Sequence, residues 1–240
     1  MINFMGMNNW IYKHIFLMAL TLLIYQPGSS QRSGGQTGAN LKDHLLINDK
    51  EAIPRMDIED VEGSRYANDS FQLGAVETMK DTFYNVLMRY NIFDDVIEFK
   101  DNKGQLFLLD PLMTIKKVAI DQLVLVVQPF DVDGQIKTGF FTLLSDGKIK
   151  LLSKKIVKFE PLQPAKALQA SNTPAKFIAS PDQYYTRMGN NPAVKINKLK
   201  KTIELFPDHQ KSVMSFADRR KLGVKRNDLI DLWAYYNGLD

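Results

Sequence analysis

The 240-residue sequence contains no cysteine. That absence excludes a disulfide scaffold, a thiol nucleophile, a cysteine-zinc site and a lipid-modified N-terminal cysteine. Only three histidines occur, His14, His44 and His209, and none has a neighbour at metal-ligand spacing, so no metal site is expected. A phosphate-binding glycine loop, a dinucleotide fingerprint and a nucleophile elbow are also missing. No cofactor is therefore expected, and no catalytic residue is assigned. After Ile24 no apolar run approaches the ~20 residues that crossing a bilayer requires, so the mature chain is expected to have no transmembrane segment. What remains is ordinary for a folded protein: 45% hydrophobic and 24% charged residues.

The first 30 residues carry one formal charge, Lys13, then an apolar run from Ile15 to Ile24, then Gln26-Pro27-Gly28-Ser29-Ser30. A weakly basic start, about 10 apolar residues and small residues at the end form the three-part layout of a secretory signal. Cleavage is expected before Gln31; an uncleaved anchor is the competing reading. An exported protein without disulfides depends on its core alone, which about 200 residues can provide. That fits a bacterial envelope protein, in the periplasm, at the outer-membrane periphery or outside the cell.

Residues 31–59 read as a flexible leader, opening on the polar, glycine-rich stretch Gln31 to Asn40. From about residue 60 to 160, short segments rich in aromatic and β-branched residues alternate with turn residues, the pattern of an antiparallel meander. Expected strands are Phe83 to Asn91, Val96 to Lys100, Gln105 to Leu109, Thr114 to Ile120, Leu123 to Gln128, Lys137 to Leu144 and Lys148 to Phe159. Asp133-Gly134 and Asp146-Gly147 supply tight hairpin turns. The unbroken run Leu123 to Val127 predicts a strand covered on both faces. Residues 161–194 read as a connection, with a short strand-like piece at Phe177 to Ala179 and then an edge strand at Tyr184 to Arg187.

Residues 195–240 turn helical. Ile196, Leu199, Ile203 and Phe206 share one helical face, and Pro207 ends that helix. Asp208 is expected to cap a second helix closed by Gly223, with Val213, Phe216 and Ala217 inward. Leu229, Leu232, Trp233 and Tyr236 form the apolar stripe of a third, starting at Asn227 or Asp228. The fold class is thus α+β: a mainly antiparallel β-sheet or partly closed barrel followed by a C-terminal helical subdomain.

Charge is unevenly shared. Residues 31–150 hold 14 basic and 19 acidic side chains, net −5, whereas residues 151–240 hold 16 and 8, net +8. Lys195, Lys198, Lys200 and Lys201 cluster on the first helix, and Arg219, Arg220, Lys221, Lys225 and Arg226 near the second turn. Export argues against nucleic acid as the partner, which leaves an anionic envelope surface, a glycan or a protein. A solvated helix face is the structural alternative. Tyr184, Tyr185 and Tyr235 are candidate aromatic contacts, because in each Tyr-Tyr pair one ring can enter the core while its neighbour faces water.

Two acidic groups invite a chemical reading. Asp131-Val132-Asp133-Gly134 starts like a calcium loop but lacks the later ligands, so it reads as a turn. Asp94, Asp95 and Glu98 offer carboxylates to a hydrolase, yet a hairpin and a wet face account for them without catalysis.

The segments Arg89-Tyr90-Asn91-Ile92-Phe93-Asp94-Asp95, Ser145-Asp146-Gly147-Lys148 with Leu151-Leu152, and the terminal Tyr235-Tyr236-Asn237 together resemble an uncharacterised family of exported Gram-negative proteins. The resemblance spans about residues 60 to 239. It implies export and a sheet followed by a helical tail, and it carries no activity. The function expected is a non-enzymatic envelope or secreted binding module. The alternative is a carrier of an apolar ligand in a sheet cavity, and a carboxylate-dependent hydrolase ranks third.

Overall fold

The computed structural model describes Leu41, residues 61–164 and residues 172–239. The export segment 1–30, all of the leader 31–59 except Leu41, and residues 165–171 of the connection lie outside the described residues.

Ten strands form one antiparallel sheet, rolled into a half-barrel: β1 Gln72–Thr78, β2 Thr82–Asn91, β3 Val96–Lys100, β4 Leu106–Leu109, β5 Ile115–Ile120, β6 Leu123–Val132, β7 Gln135–Ser145, β8 Ile149–Glu160, β9 Lys176–Met188 and β10 Val194–Lys195. Their order across the sheet is β10-β9-β8-β7-β6-β5-β1-β2-β3-β4. Three helices follow, α1 Leu199–Ile203, α2 Gln210–Arg220 and α3 Arg226–Asn237. The chain is α+β.

Turn chemistry explains the meander. At the β6–β7 hairpin Asp133 and Gly134 both take positive φ, 52° and 83°, the pair of left-handed residues that a two-residue turn matched to strand twist requires. Asp95 does the same at the β2–β3 turn, with φ 56°.

Three expectations are corrected. β1 was not foreseen, and it lies between β2 and β5. Its segment Gln72-Leu73-Gly74-Ala75-Val76 contains a glycine and two small or polar residues, so its apolar content is too thin to stand out. Phe177 to Arg187 belongs to one long strand that pairs with β8, and at Tyr185 and Thr186 it also pairs with β10, so that end is not an edge. Pro181 sits within it, close to where the β8–β9 register shifts between Lys154 and Ile156, as a proline in a sheet demands. Finally, the Leu123 to Val127 run is not covered on both faces, since Val124 is 41% exposed.

Residues 62 to 67 form a strap across the half-barrel. At one end Glu62 N–H donates to Ala175 O at 3.0 Å and Phe177 N–H to Glu62 O at 2.9 Å. At the other, Ala67 N–H donates to Tyr90 O and Ile92 N–H to Arg65 O, both at 2.9 Å. The strap therefore links β9 to β2, strands six places apart in the sheet order.

The largest core cluster lies within the curved sheet and joins Val76, Phe83, Met88, Phe99, Val118 and Phe140 with others. Leu41, a helical residue, is fully buried in it. A second cluster joins Ile149 and Leu151 of β8 to Phe206, Val213, Leu229, Leu232, Trp233 and Tyr236. All four residues of the Leu229 to Tyr236 stripe are fully buried, as the 3.6-residue period requires.

The helix ends differ in detail from the sequence reading. α1 spans only five residues, because Ile196 still hydrogen-bonds to the sheet through Tyr184 O at 2.8 Å. The N-cap of α2 is His209, with left-handed φ, while Asp208 instead accepts the Tyr236 hydroxyl at 2.7 Å. Lys221, not Gly223, takes the left-handed conformation that ends α2. Asp228 lies in the first turn of α3 and accepts from Gly223 N–H at 2.9 Å, so its carboxylate braces the loop between the helices.

Candidate functional site

The three segments that stand out in the sequence are joints of the fold. In Arg89-Tyr90-Asn91 every side chain reaches a carboxylate. Arg89 donates to Glu98 Oε2 through Nε at 2.8 Å and Nη2 at 2.7 Å, with its guanidinium over the Tyr66 ring. Tyr66 donates to Glu98 Oε1 at 3.1 Å. Asn91 Nδ2 lies 2.8 Å from Asp94 Oδ2 and 3.4 Å from Glu98 Oε1. Tyr90 donates to Asp95 Oδ1 at 2.6 Å. Burial and the nearby Asp95 charge push the Tyr90 phenol well above its ordinary pKa, and burial followed by Glu98 raises that of Tyr66.

Asp95 also meets Lys154, with Nζ 2.6 Å from Oδ2. The ammonium is 8% exposed by residue, donates to Phe140 O at 3.2 Å, and lies 4.9 Å from the Phe141 and 5.4 Å from the Phe130 ring centres. Burial lowers the Lys154 pKa, and the attraction of Asp95 opposes that shift. Gly139 makes the pairing possible. A Cβ there would stand 2.8 Å from Asp95 Oδ2 and 2.9 Å from Lys154 Nζ, so any side chain would push the pair apart.

All three hydrolase candidates are thus matched to cations: Asp94 to Arg65 at 3.6 Å, Asp95 to Lys154, and Glu98 to Arg89. A carboxylate paired in this way ties the segments around it together, which accounts for it without catalysis. Among the described residues no group of three or more histidine, aspartate or glutamate side chains is arranged to hold a metal ion.

The nine basic candidates are all exposed: Lys195 at β10, Lys198, Lys200 and Lys201 at α1, Arg219, Arg220 and Lys221 at the end of α2, and Lys225 and Arg226 at the start of α3. Two have partners, Lys200 with Asp218 at 3.3 Å and Arg220 with Asp231 at 3.4 Å. The other seven have no ion pair among the described residues. Lys195, Lys225 and Arg226, distant in sequence, line one cleft of about 380 Å³ beside Tyr184 and Ile196.

The aromatic candidates separate. Tyr185 is buried against Phe130 and Phe141, with ring centres at 5.8 and 5.2 Å, so its ring is core and not a surface contact. Tyr235 stacks on Phe216, rings 4.0 Å apart and nearly parallel, bridging α2 and α3. Tyr184 is half-buried and lines the cleft.

Among the described residues no helix is long and apolar enough to cross a membrane. Neither a family model, nor a curated protein, nor a solved structure matches this chain.

Two participants escaped sequence reasoning. Lys154 sits in Leu151-Leu152-Ser153-Lys154, where alternation alone marks it as the inward partner of Leu152; its acid lies 59 residues upstream. The cleft escaped because it is assembled from β9, β10 and the start of α3, which no local period connects.

Proposed function

We propose that this chain is an exported, non-enzymatic binding module that attaches to an anionic component of the cell envelope through the basic face of its C-terminal subdomain. The observation that carries this reading is the set of seven exposed cations without carboxylate partners among the described residues, on a subdomain fixed to the sheet by the buried cluster around Trp233. Unpaired surface charge of one sign gives long-range attraction to polyanions and contributes little to folding. The neutralised carboxylates of the β2–β3 hairpin remove the main support for a hydrolase. The buried cluster on the inner face of the described sheet, into which Leu41 packs, favours a binding surface over a carrier cavity. Likeness of its three motifs to exported Gram-negative proteins agrees with an envelope location.

Co-sedimentation of the purified chain with isolated bacterial envelope tests the proposal. Binding at low ionic strength and release at high salt are expected, because exposed charges are screened beyond about 10 Å at 0.1 M salt. Binding that is indifferent to salt, or absent at both ionic strengths, overturns it.

A further inference from the structure

Within the basic face, the cleft between the β9–β10 margin and the start of α3 has the features of a ligand site. Its volume of about 380 Å³ lies within the roughly 300–1,000 Å³ range of small-molecule sites. Tyr184, Ile196 and Val224 give it apolar surface, and Lys195, Lys225 and Arg226 give it positive charge; Asp182 is the one acid in its lining.

The cleft is held rigid on both sides. Lys195 pairs with Tyr185 in the β9–β10 register, and Ile196 N–H donates to Tyr184 O at 2.8 Å. Opposite, the Asp228 carboxylate receives Gly223 N–H and so fixes the loop that delivers Val224, Lys225 and Arg226. A site ordered before binding loses less entropy when it binds. Lys225 and Arg226 also occupy the N-cap and first position of α3, where the helix dipole disfavours positive charge. These cations cost stability where they stand, and a bound anion would relieve that cost.

A half-buried tyrosine ring beside three cations matches a pyranose ring that carries a carboxylate: the ring face packs on Tyr184 while the anion meets Lys225 and Arg226. A concave site suits a polymer chain better than a flat bilayer. Resting on the envelope-binding reading above, we infer that this cleft binds acidic polysaccharide of the uronic-acid type, one sugar at a time along the chain.

The test is titration of the purified chain with an oligogalacturonate, followed by tyrosine fluorescence and calorimetry. A neutral oligosaccharide of equal length and anionic phospholipid vesicles serve as comparisons. Oligogalacturonate is expected to bind, and the neutral sugar to bind at least tenfold more weakly. Tyr184→Ala and the pair Lys225→Glu with Arg226→Glu should each weaken binding about tenfold or more. The pair Lys198→Glu with Lys201→Glu makes the same charge change outside the cleft and should alter it less than about threefold. Unchanged thermal melting shows that each variant is folded; if Tyr184→Ala does not fold, Tyr184→Leu takes its place.

Equal loss in the two charge-reversed pairs overturns the cleft while leaving the broader basic-face reading standing. Binding to vesicles without binding to oligogalacturonate does the same. Failure to bind envelope, vesicles and oligogalacturonate alike removes both.

Discussion

Asn237, at the end of α3, pairs with Ile149 of β8 as if it were a strand residue: its Oδ1 accepts Ile149 N–H at 3.1 Å and its Nδ2 donates to Ile149 O at 3.1 Å. The same Nδ2 also lies 3.2 Å from Asp146 O and 3.4 Å from Ser145 Oγ. Lys148 Nζ donates to Leu239 O just beyond the helix. The last helix is thereby fastened to the β7–β8 hairpin.

Asn237→Ala should destabilise the protein by about 2 kcal/mol, since it leaves both backbone groups of Ile149 short of partners. Gly147, with φ 146°, lies beneath the amide, where a Cβ would be 2.6 Å from Asn237 Cγ. Gly147→Ala should therefore cost less in an Asn237→Ala background than in the wild type, though still more than nothing, because the backbone strain persists. Denaturant unfolding of the four proteins of this cycle measures both effects; equal costs in the two backgrounds would show that the amide does not constrain Gly147.

Lys154→Met removes one partner of a largely buried ion pair and should cost about 3 kcal/mol. Adding Asp95→Asn, which keeps an acceptor for the Tyr90 hydroxyl, should recover about 1–2 kcal/mol of that loss. Strictly additive single-variant effects in urea unfolding would mean that the two side chains act independently.

Leu41→Ala is expected to lower stability by about 3 kcal/mol, the cost of emptying a fully buried leucine site. A thermal melting curve identical to wild type would show that the sheet's inner face tolerates the loss. An exposed control, Leu205→Ala, should have little effect, since Leu205 is 47% exposed.

Tyr66, Tyr90, Tyr185 and Tyr236 all have raised pKa values, burial being the largest cause in each. The folded state keeps these protons where the unfolded chain releases them. Their contribution is complete below pH 10 and is lost as pH climbs above 10 toward the folded values. Lys154, with a lowered pKa, acts in the opposite direction, favouring the folded state increasingly as pH rises toward 10.5. Arg187, also lowered by burial, acts in the same direction as Lys154; four groups against two predict a net loss of stability above pH 10, and Tyr90→Phe should make that loss shallower. Urea unfolding at several alkaline pH values, with tyrosinate absorbance as the second readout, checks the sign.

The fold was legible where one residue pattern determines one element. β3 matches its expected bounds of Val96–Lys100, and the Leu229, Leu232, Trp233, Tyr236 stripe is buried throughout. Legibility ended where distant segments cooperate. Nothing local to Asp95 indicates Lys154, and nothing near Glu62 indicates Ala175 and Phe177. β1 depends for its place on neighbours that lie after it in the chain. The basic candidates were legible as charge, but the cleft that gathers three of them exists only once β10 and α3 are side by side.

The strap has a consequence for the order of folding. Glu62 finds its hydrogen-bond partners, Ala175 and Phe177, more than a hundred positions further along the chain, so the strap cannot form until most of the polypeptide is present. Closing so long a loop is slow compared with forming the neighbouring hairpins. The nascent chain would hold local hairpins but no strap, so β9 and β2 would stay unlinked until its last third has emerged.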